Sequence, residues 1–159
     1  MMKKVTTIAV AVDFEEEVDD VLATAGQLAR ATNAELHVVH VYASEPEIMF
    51  TPPYAVPVVL EDPEQHEQAL QAQRLKVRDM VHALSSDGVQ AFGYMKPFHL
   101  GTAKSIREFV EEVEADLLVV GSHRRGRVGK VLLGSISEAL VRKSRVPVLV
   151  VPRIDGSGE

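Results

Sequence analysis

The apolar positions of this chain fall into two rhythms that alternate from one end to the other. Val5–Val12 (VTTIAVAV) is a short, uncharged, β-branched run, which predicts a buried strand. Acidic residues follow. Then Val18, Val21, Leu22, Ala25, Leu28 and Ala29 recur at i, i+3, i+4, i+7 spacing, the single apolar stripe of an amphipathic helix. Glu35–Tyr42 (ELHVVHVY) predicts a second strand. Asp62-Pro63-Glu64-Gln65 reads as a helix start. The Asp62 carboxylate accepts from free N–H groups, Pro63 suits the first turn, and Gln65 completes a capping box. Leu70, Val77, Val81 and Leu84 carry that helix's stripe. Val89–Met95 (VQAFGYM) predicts a weaker third strand, and Ala103, Ile106, Val110 and Val113 a third helix. Leu117–Gly121 (LLVVG) and Val146–Val151 (VPVLVV) predict two near-continuous apolar strands, with a helix from about Ser135 to Ser144 between them.

Strands that alternate with helices, and are apolar on both faces, predict a parallel sheet covered on both sides. Right-handed crossovers then favour the order 3-2-1-4-5. The expected fold is a single α/β domain over residues 1–153. It is a doubly wound, Rossmann-like five-stranded parallel sheet with helices on both faces, followed by a flexible C-terminal tail over 154–159. The winding reverses between strands one and four, where ligands enter at the carboxyl ends of the strands. Asp13 and Gly121 stand there. Residues 43–61 do not fit the alternation. Pro46, Pro52, Pro53 and Pro57 interrupt Ile48, Met49, Phe50, Tyr54, Val56, Val58 and Val59, and prolines resist regular structure. The segment reads as a long loop: either plain surface, or a lid or surface for an unknown protein partner, since so many apolar residues seldom stay in water.

Composition narrows the chemistry. The chain has 159 residues, 46% of them hydrophobic and 25% charged, enough for one sizeable core. It has no cysteine, which excludes disulfides and thiolate metal sites. Its six histidines are scattered, with no HExxH or HxH pair, which disfavours zinc. A net charge of −6 repels nucleic-acid phosphates. The apolar run Val5–Val12 is too short for a signal peptide core or a membrane span. These features predict a cytoplasmic protein with neither nucleic acid nor membrane as partner.

One loop departs from this acidic background: Gly121 to Ser135 (GSHRRGRVGKVLLGS). Gly121, Gly126, Gly129 and Gly134 let backbone approach a ligand closely. Arg124, Arg125, Arg127 and Lys130 occur with no acid among them, and Gly134-Ser135 opens a helix whose N–H groups and dipole attract anions. Together these describe a phosphate cradle, with His123 as a candidate contact. The competing reading is a solvated basic loop followed by an ordinary cap, since Ser135 and Glu138 have capping-box spacing. Known phosphate motifs fail. A P-loop needs Ser or Thr after Gly-Lys, and Gly129-Lys130 is followed by Val131. A dinucleotide GxGxxG is absent after strand one, where the chain reads Ala11-Val12-Asp13-Phe14-Glu15. Asp13 is a ligand contact or the cap of the next helix. A receiver-type phosphoacceptor is excluded because strands three and five end in Met95-Lys96 and Pro152-Arg153.

Several of these motifs in series resemble the universal stress protein family. They are Val12-Asp13-Phe14, His40-Val41, Ala115–His123 (ADLLVVGSH), Leu132–Glu138 (LLGSISE) and Val146–Pro152 (VPVLVVP). The family's ATP-binding branch carries G-x-x-G, nine residues, then G-[ST]. Here Gly121 fits and nine residues, Arg125–Leu133, precede Gly134-Ser135, but Arg124 stands in place of the second glycine. The resemblance implies that Asp13 and Val41 flank a nucleoside, and that Gly121, Gly134, Ser135 and Ile136 hold phosphates with Mg²⁺ between them. Val12, Ser122, Arg124 and Gly126 complete the candidate set. Arg124 either adds a charged contact to a triphosphate or obstructs it.

Three functions follow. The first is an ATP-binding regulatory module of the stress response, with slow hydrolysis at most. The second is a nucleotide-free homodimer of the same fold, in which Arg124 blocks the cradle. The third is an adenylate-transferring enzyme, against which stands the absence of HxGH and SGGxDS near strand one. Strand five is expected at a sheet edge, uncharged, with Pro147 near its start as its one protective device. It predicts a homodimer through Val146–Val151, as the resemblance also implies.

Overall fold

The computed structural model describes residues 3–14, 18–44, 48–51, 56–59, 62–122 and 133–152. Its elements run β1 (Thr7–Ala11), α1 (Val18–Thr32), β2 (Glu35–Tyr42), β3 (Ile48–Thr51), β4 (Val56–Val59), α2 (Pro63–Ser86), β5 (Ala91–Pro97), α3 (Thr102–Glu112), β6 (Leu117–Gly121), α4 (Ser135–Lys143) and β7 (Val148–Val151). The main sheet has the order β5-β2-β1-β6-β7, with every pair parallel. This is the expected 3-2-1-4-5 arrangement. No helix among the described residues is long and apolar enough to cross a membrane.

The strands are apolar on both faces because helices cover both. Ile8, Val10, Leu36, Val38 and Val119 face α1 and α2, where Val21, Ala25, Ala29 and Leu84 are buried. Their alternates Ala9, Val39, Leu118 and Val120 face α3 and α4, against Ile106, Phe109, Val110 and Leu140. Gly93 shows how tightly α2 lies on β5. A Cβ there would sit 2.8 Å from Val77 and 2.9 Å from Val81, so this mid-strand position excludes a side chain.

Some expected boundaries move for local reasons. Asp62 caps α2 as expected, its carboxylate accepting the Glu64 N–H at 2.9 Å. The last strand begins at Val148 rather than Val146. The Ser144 hydroxyl donates to the Val146 carbonyl at 2.8 Å and accepts the Val146 N–H at 3.2 Å, which holds those residues in a turn. The 43–61 segment, expected as a loop, contains an antiparallel hairpin. Ile48 lies opposite Val59, and Thr51 opposite Val56, in a sheet of their own. Pro57 is tolerated in β4 because a two-stranded unit consists only of edges, where a missing N–H faces outward.

Asp116, at the entrance to β6, ties the sheet's central strands together. Its carboxylate accepts the Thr6 N–H at 2.9 Å, the Thr6 hydroxyl at 3.0 Å and the Thr7 N–H at 3.1 Å, with the Lys3 ammonium beside it. Its own N–H donates to the Thr7 carbonyl at 2.8 Å. Lys3 first, and then the Thr6 and Thr7 donors, hold the Asp116 carboxyl well below the usual carboxylate range. The folded pKa therefore lies below the unfolded one. The stabilisation is present above about pH 4 and is lost as pH falls further. Asp116→Asn is expected to cost roughly 1–3 kcal/mol at pH 7 by urea unfolding. The gap between the two proteins should narrow below pH 4. A gap absent at pH 7, or growing with acid, contradicts this account.

Candidate functional site

Helices that return between parallel strands all start at the sheet's carboxyl edge, so their positive ends gather there. Between β1 and β6, where the winding reverses, this edge opens into a crevice of about 700 Å³ including its mouth. Its floor comes from strand ends: Ala11 and Val12 of β1, Val39 and Val41 of β2, Val120 and Gly121 of β6. Val18 of α1, Thr102 of α3 and Ile136 of α4 bring three helix starts to its rim. The lining is mostly apolar, which suits a flat ring. Its polar groups are few, which suits orientation rather than solvation.

The helix starts explain the crevice's electrostatic character. Gly134 is the N-cap of α4 and Gly101 that of α3, and neither supplies a side-chain acceptor. Gly101 has φ 117°, a conformation that glycine adopts without strain. The capping box that the competing reading places on Ser135 and Glu138 does not form. The cap falls one residue earlier, on Gly134, whose carbonyl accepts the Glu138 N–H at 2.9 Å. The Glu138 carboxylate instead pairs with Arg142 at 2.8 Å, one turn along. The start of α4 thus has no side-chain cap among the described residues.

Three hydrogen bonds fix where α4 begins. The Gly134 N–H donates to the Ser122 carbonyl at 2.9 Å, which draws the two ends of the cationic loop together. The Ser122 N–H donates to the Val151 carbonyl at 3.0 Å. The Ser137 hydroxyl donates to the Gly121 carbonyl at 2.6 Å, clamping the first turn of α4 onto the end of β6.

The predicted site residues therefore divide. Val12, Asp13, Val41, Gly121 and Ile136 line the crevice. Ser122 is buried and serves the backbone junction, while Gly134 and the exposed Ser135 form the start of α4. Arg124 and Gly126, together with His123, lie outside the described residues. Sequence reasoning missed His40, Thr102 and Ser137. His40 lines the crevice, with Nδ1 2.9 Å from the Val12 carbonyl and its ring 4.1 Å from that of Phe14. A carbonyl only accepts, so Nδ1 carries the proton. The signal for Thr102 was Gly101, a glycine just ahead of the third helical stripe. For Ser137 there was none, because its partner lies 16 residues away.

The family model for the universal stress protein family matches residues 4–152. Over 68 residues the chain is 38% identical to a universal stress protein of Mycobacterium tuberculosis. That match takes in 43% of this chain but only 23% of the relative's length. Over 164 residues it is 29% identical to the stress response protein NhaX of Bacillus subtilis, covering 91% of this chain and 96% of that one. Among solved structures it shares its fold with a universal stress protein family member from Burkholderia pseudomallei. The TM-score is 0.73 and the identity 24%, over 96% of this chain and 100% of that one. It also shares its fold with a family protein from Arabidopsis thaliana solved with AMP bound. There the TM-score is 0.61 and the identity 19%, over 94% and 93% of the two chains.

Ser137→Ala tests the clamp on α4. Loss of the bond to Gly121 is expected to cost about 1 kcal/mol in urea unfolding. Faster amide exchange in the first turn of α4 is also expected. Unchanged exchange there would show that Ser137 does not hold the helix start.

Proposed function

This chain belongs to the universal stress protein family, and from that premise we propose that its crevice binds ATP as part of a cytoplasmic regulatory module of the stress response. The observation that carries this reading is the pair of helix starts without side-chain caps, α3 and α4, over a mostly apolar crevice at the switch point. Asp13 and Val41 take the nucleoside, with Val41 offering backbone to adenine. Gly121, Gly134, Ser135 and Ile136 hold phosphate oxygens, and Arg124 adds a charge from the adjoining loop. The related Arabidopsis structure holding AMP supports an adenine nucleotide here.

Mg²⁺ belongs to the bound nucleotide in this reading. No cluster of three or more histidine or acidic side chains suited to a metal occurs among the described residues. Bound with the nucleotide, the ion would neutralise phosphate charge beside Gly134 and Ser135. Turnover is slow at most. Of the two titratable side chains that line the crevice among the described residues, Asp13 is exposed and His40 has its Nδ1 committed to Val12. The second reading, a nucleotide-free protein, is favoured by one residue: Arg124, where the family pattern has glycine.

Calorimetry with ATP and GTP, with and without Mg²⁺, decides between the two. Micromolar ATP binding strengthened by Mg²⁺ is expected, and no heat and no thermal shift would sink the reading. Gly134 has φ −67° and ψ 165°, which valine also adopts. Gly134→Val should therefore keep the fold while its bulk abolishes binding. Affinity unchanged in that variant would move the phosphates elsewhere. Arg124→Gly restores the family pattern and is expected to bind at least measurably.

We also propose the homodimer through the β7 edge. Among the described strands β7 pairs only with β6, and Val148–Val151 carries no charge. Two copies about a two-fold axis satisfy both edges. Light scattering should show the wild type heavier than a single chain, with Leu149→Lys lowering that mass. A monomeric wild type, or a variant of unchanged mass, contradicts the interface.

A further inference from the structure

The sheet has a second edge, and it carries a different surface. β5 pairs with β2 from Ala91 to Pro97, and its outer edge pairs with no described strand. One face of β5 is sealed by α2 at Gly93. The other face is only partly covered. Phe109 of α3 reaches Tyr94, with ring centroids 5.0 Å apart, but Phe92 and Tyr94 remain 38% and 36% exposed. They form an ordered shelf. His37 stacks on Phe92 at 5.1 Å and on Tyr94 at 5.5 Å, and its Nδ1 lies 3.0 Å from the Tyr94 hydroxyl. Beyond the strand's end, Phe98 and Leu100 are 51% and 74% exposed, and Leu100 is held at φ 54°, an unusual conformation for leucine. Large apolar side chains set rigidly around a free strand edge mark a docking surface.

The chain also holds a strand pair with no other described strand to pair with. The hairpin β3–β4 follows Tyr42, which is in register with Pro97 of β5 and whose carbonyl accepts the Phe98 N–H at 2.7 Å. Its sequence, Ile-Met-Phe-Thr against Val-Pro-Val-Val, has no charge that would oppose burial. Among the described strands, β3 and β4 pair only with each other. A lone two-stranded hairpin is marginal in water, so it gains from a third strand. Pro57 removes a donor from β4, while β3 keeps all of its own, so β3 is the strand suited to join a sheet. The tether of residues 43–47 spans up to about 17 Å when extended. From the end of β2 the outer side of β5 is only about 10 Å away, so the tether can carry the hairpin past its own edge strand.

We propose that the hairpin β3–β4 of a second copy of this chain docks on the β5 edge, adding β3 as a strand beside the Phe92–Tyr94 shelf. Two copies related by a two-fold axis then cover each other's edges with each other's hairpins. This interface is separate from the β7 edge and does not depend on nucleotide.

The chain has no cysteine, so cysteines placed singly report only the intended contact. One preparation carries Phe92→Cys; others carry Met49→Cys or Phe50→Cys, at consecutive positions of β3. Mixed under mild oxidation, they are expected to give a heterodisulfide of twice the chain mass, several-fold in excess of either homodisulfide. Adding Leu149→Lys should leave that yield unchanged. A dominant Phe92→Cys homodisulfide would put β5 against β5 and overturn the proposal. A double variant that closes only within one chain would show the hairpin docking on its own edge, and would overturn it equally. As a check that needs no disulfide, residues 45–60 are replaced by a Gly/Ser linker in the Leu149→Lys chain. The parent Leu149→Lys chain is expected to sediment as a dimer and the linker form as a monomer. Equal masses overturn the proposal.

Discussion

Parallel strands cannot be joined by tight turns, and each needs a crossover that carries the chain back across a face of the sheet. In this protein the crossovers into β2, β5, β6 and β7 contain α1, α2, α3 and α4, so all four helices start at the carboxyl edge. Each brings a positive dipole end and N–H groups without helical partners to the same side of the molecule. A net charge of −6 does not alter this, because the dipole effect is local to the first turn. The switch point between β1 and β6 then decides which of these starts share a crevice. Site and fold are two consequences of one choice of strand direction.

That is also why so much of the architecture is legible in the chain. Runs such as Leu117–Gly121 are apolar at consecutive positions, as expected of a strand covered on both faces. Asp13 and Gly121 could be placed at the crevice from the sequence, since their position follows from strand order alone. The hairpin was not legible. Four prolines argued against regular structure, yet the argument applies to central strands, and β3 and β4 are both edges. The cap of α4 was misplaced by one residue because Ser135 and Glu138 have the right spacing. What the spacing does not show is that Gly134 is held by Ser122, a contact across the loop that is made only in the fold. Glu138 then takes its i,i+4 partner Arg142 instead of the cap. His40 reads as one more residue of an apolar strand until the fold brings Val12 and Phe14 to its ring.

The two sheet edges pose the same physical problem in different forms. β7 is short, four residues without a charge, entered through Pro147. β5 is longer, seven residues, and carries aromatic side chains packed in an ordered array around His37. A protein that kept both edges in water would normally guard them with charges or bulges. Lys96 is the one charged residue in β5, and it pairs with Glu112 at 2.6 Å, so its charge is turned toward α3 instead of guarding the edge. Neither strand therefore offers a charge to its outer edge, and Pro147 at the entrance of β7 is the protection that edge has.

The crevice and the β7 edge are joined by a short path through the backbone. The Gly134 N–H rests on the Ser122 carbonyl, and the Ser122 N–H rests on the Val151 carbonyl of β7. Ser137 ties the same helix start to the end of β6, and Gly121 there is in register with Val151. Only one residue, Ser122, separates the start of α4 from the end of the edge strand. Each bond in this chain is between backbone groups or from a side chain to backbone, so substitution of neighbouring side chains leaves the path intact. The first turn of α4 and the last residue of the edge strand are thus joined by two successive backbone hydrogen bonds. Loop residues, by contrast, can vary without cutting that connection, because Gly134 and Ser122 close the loop at its base.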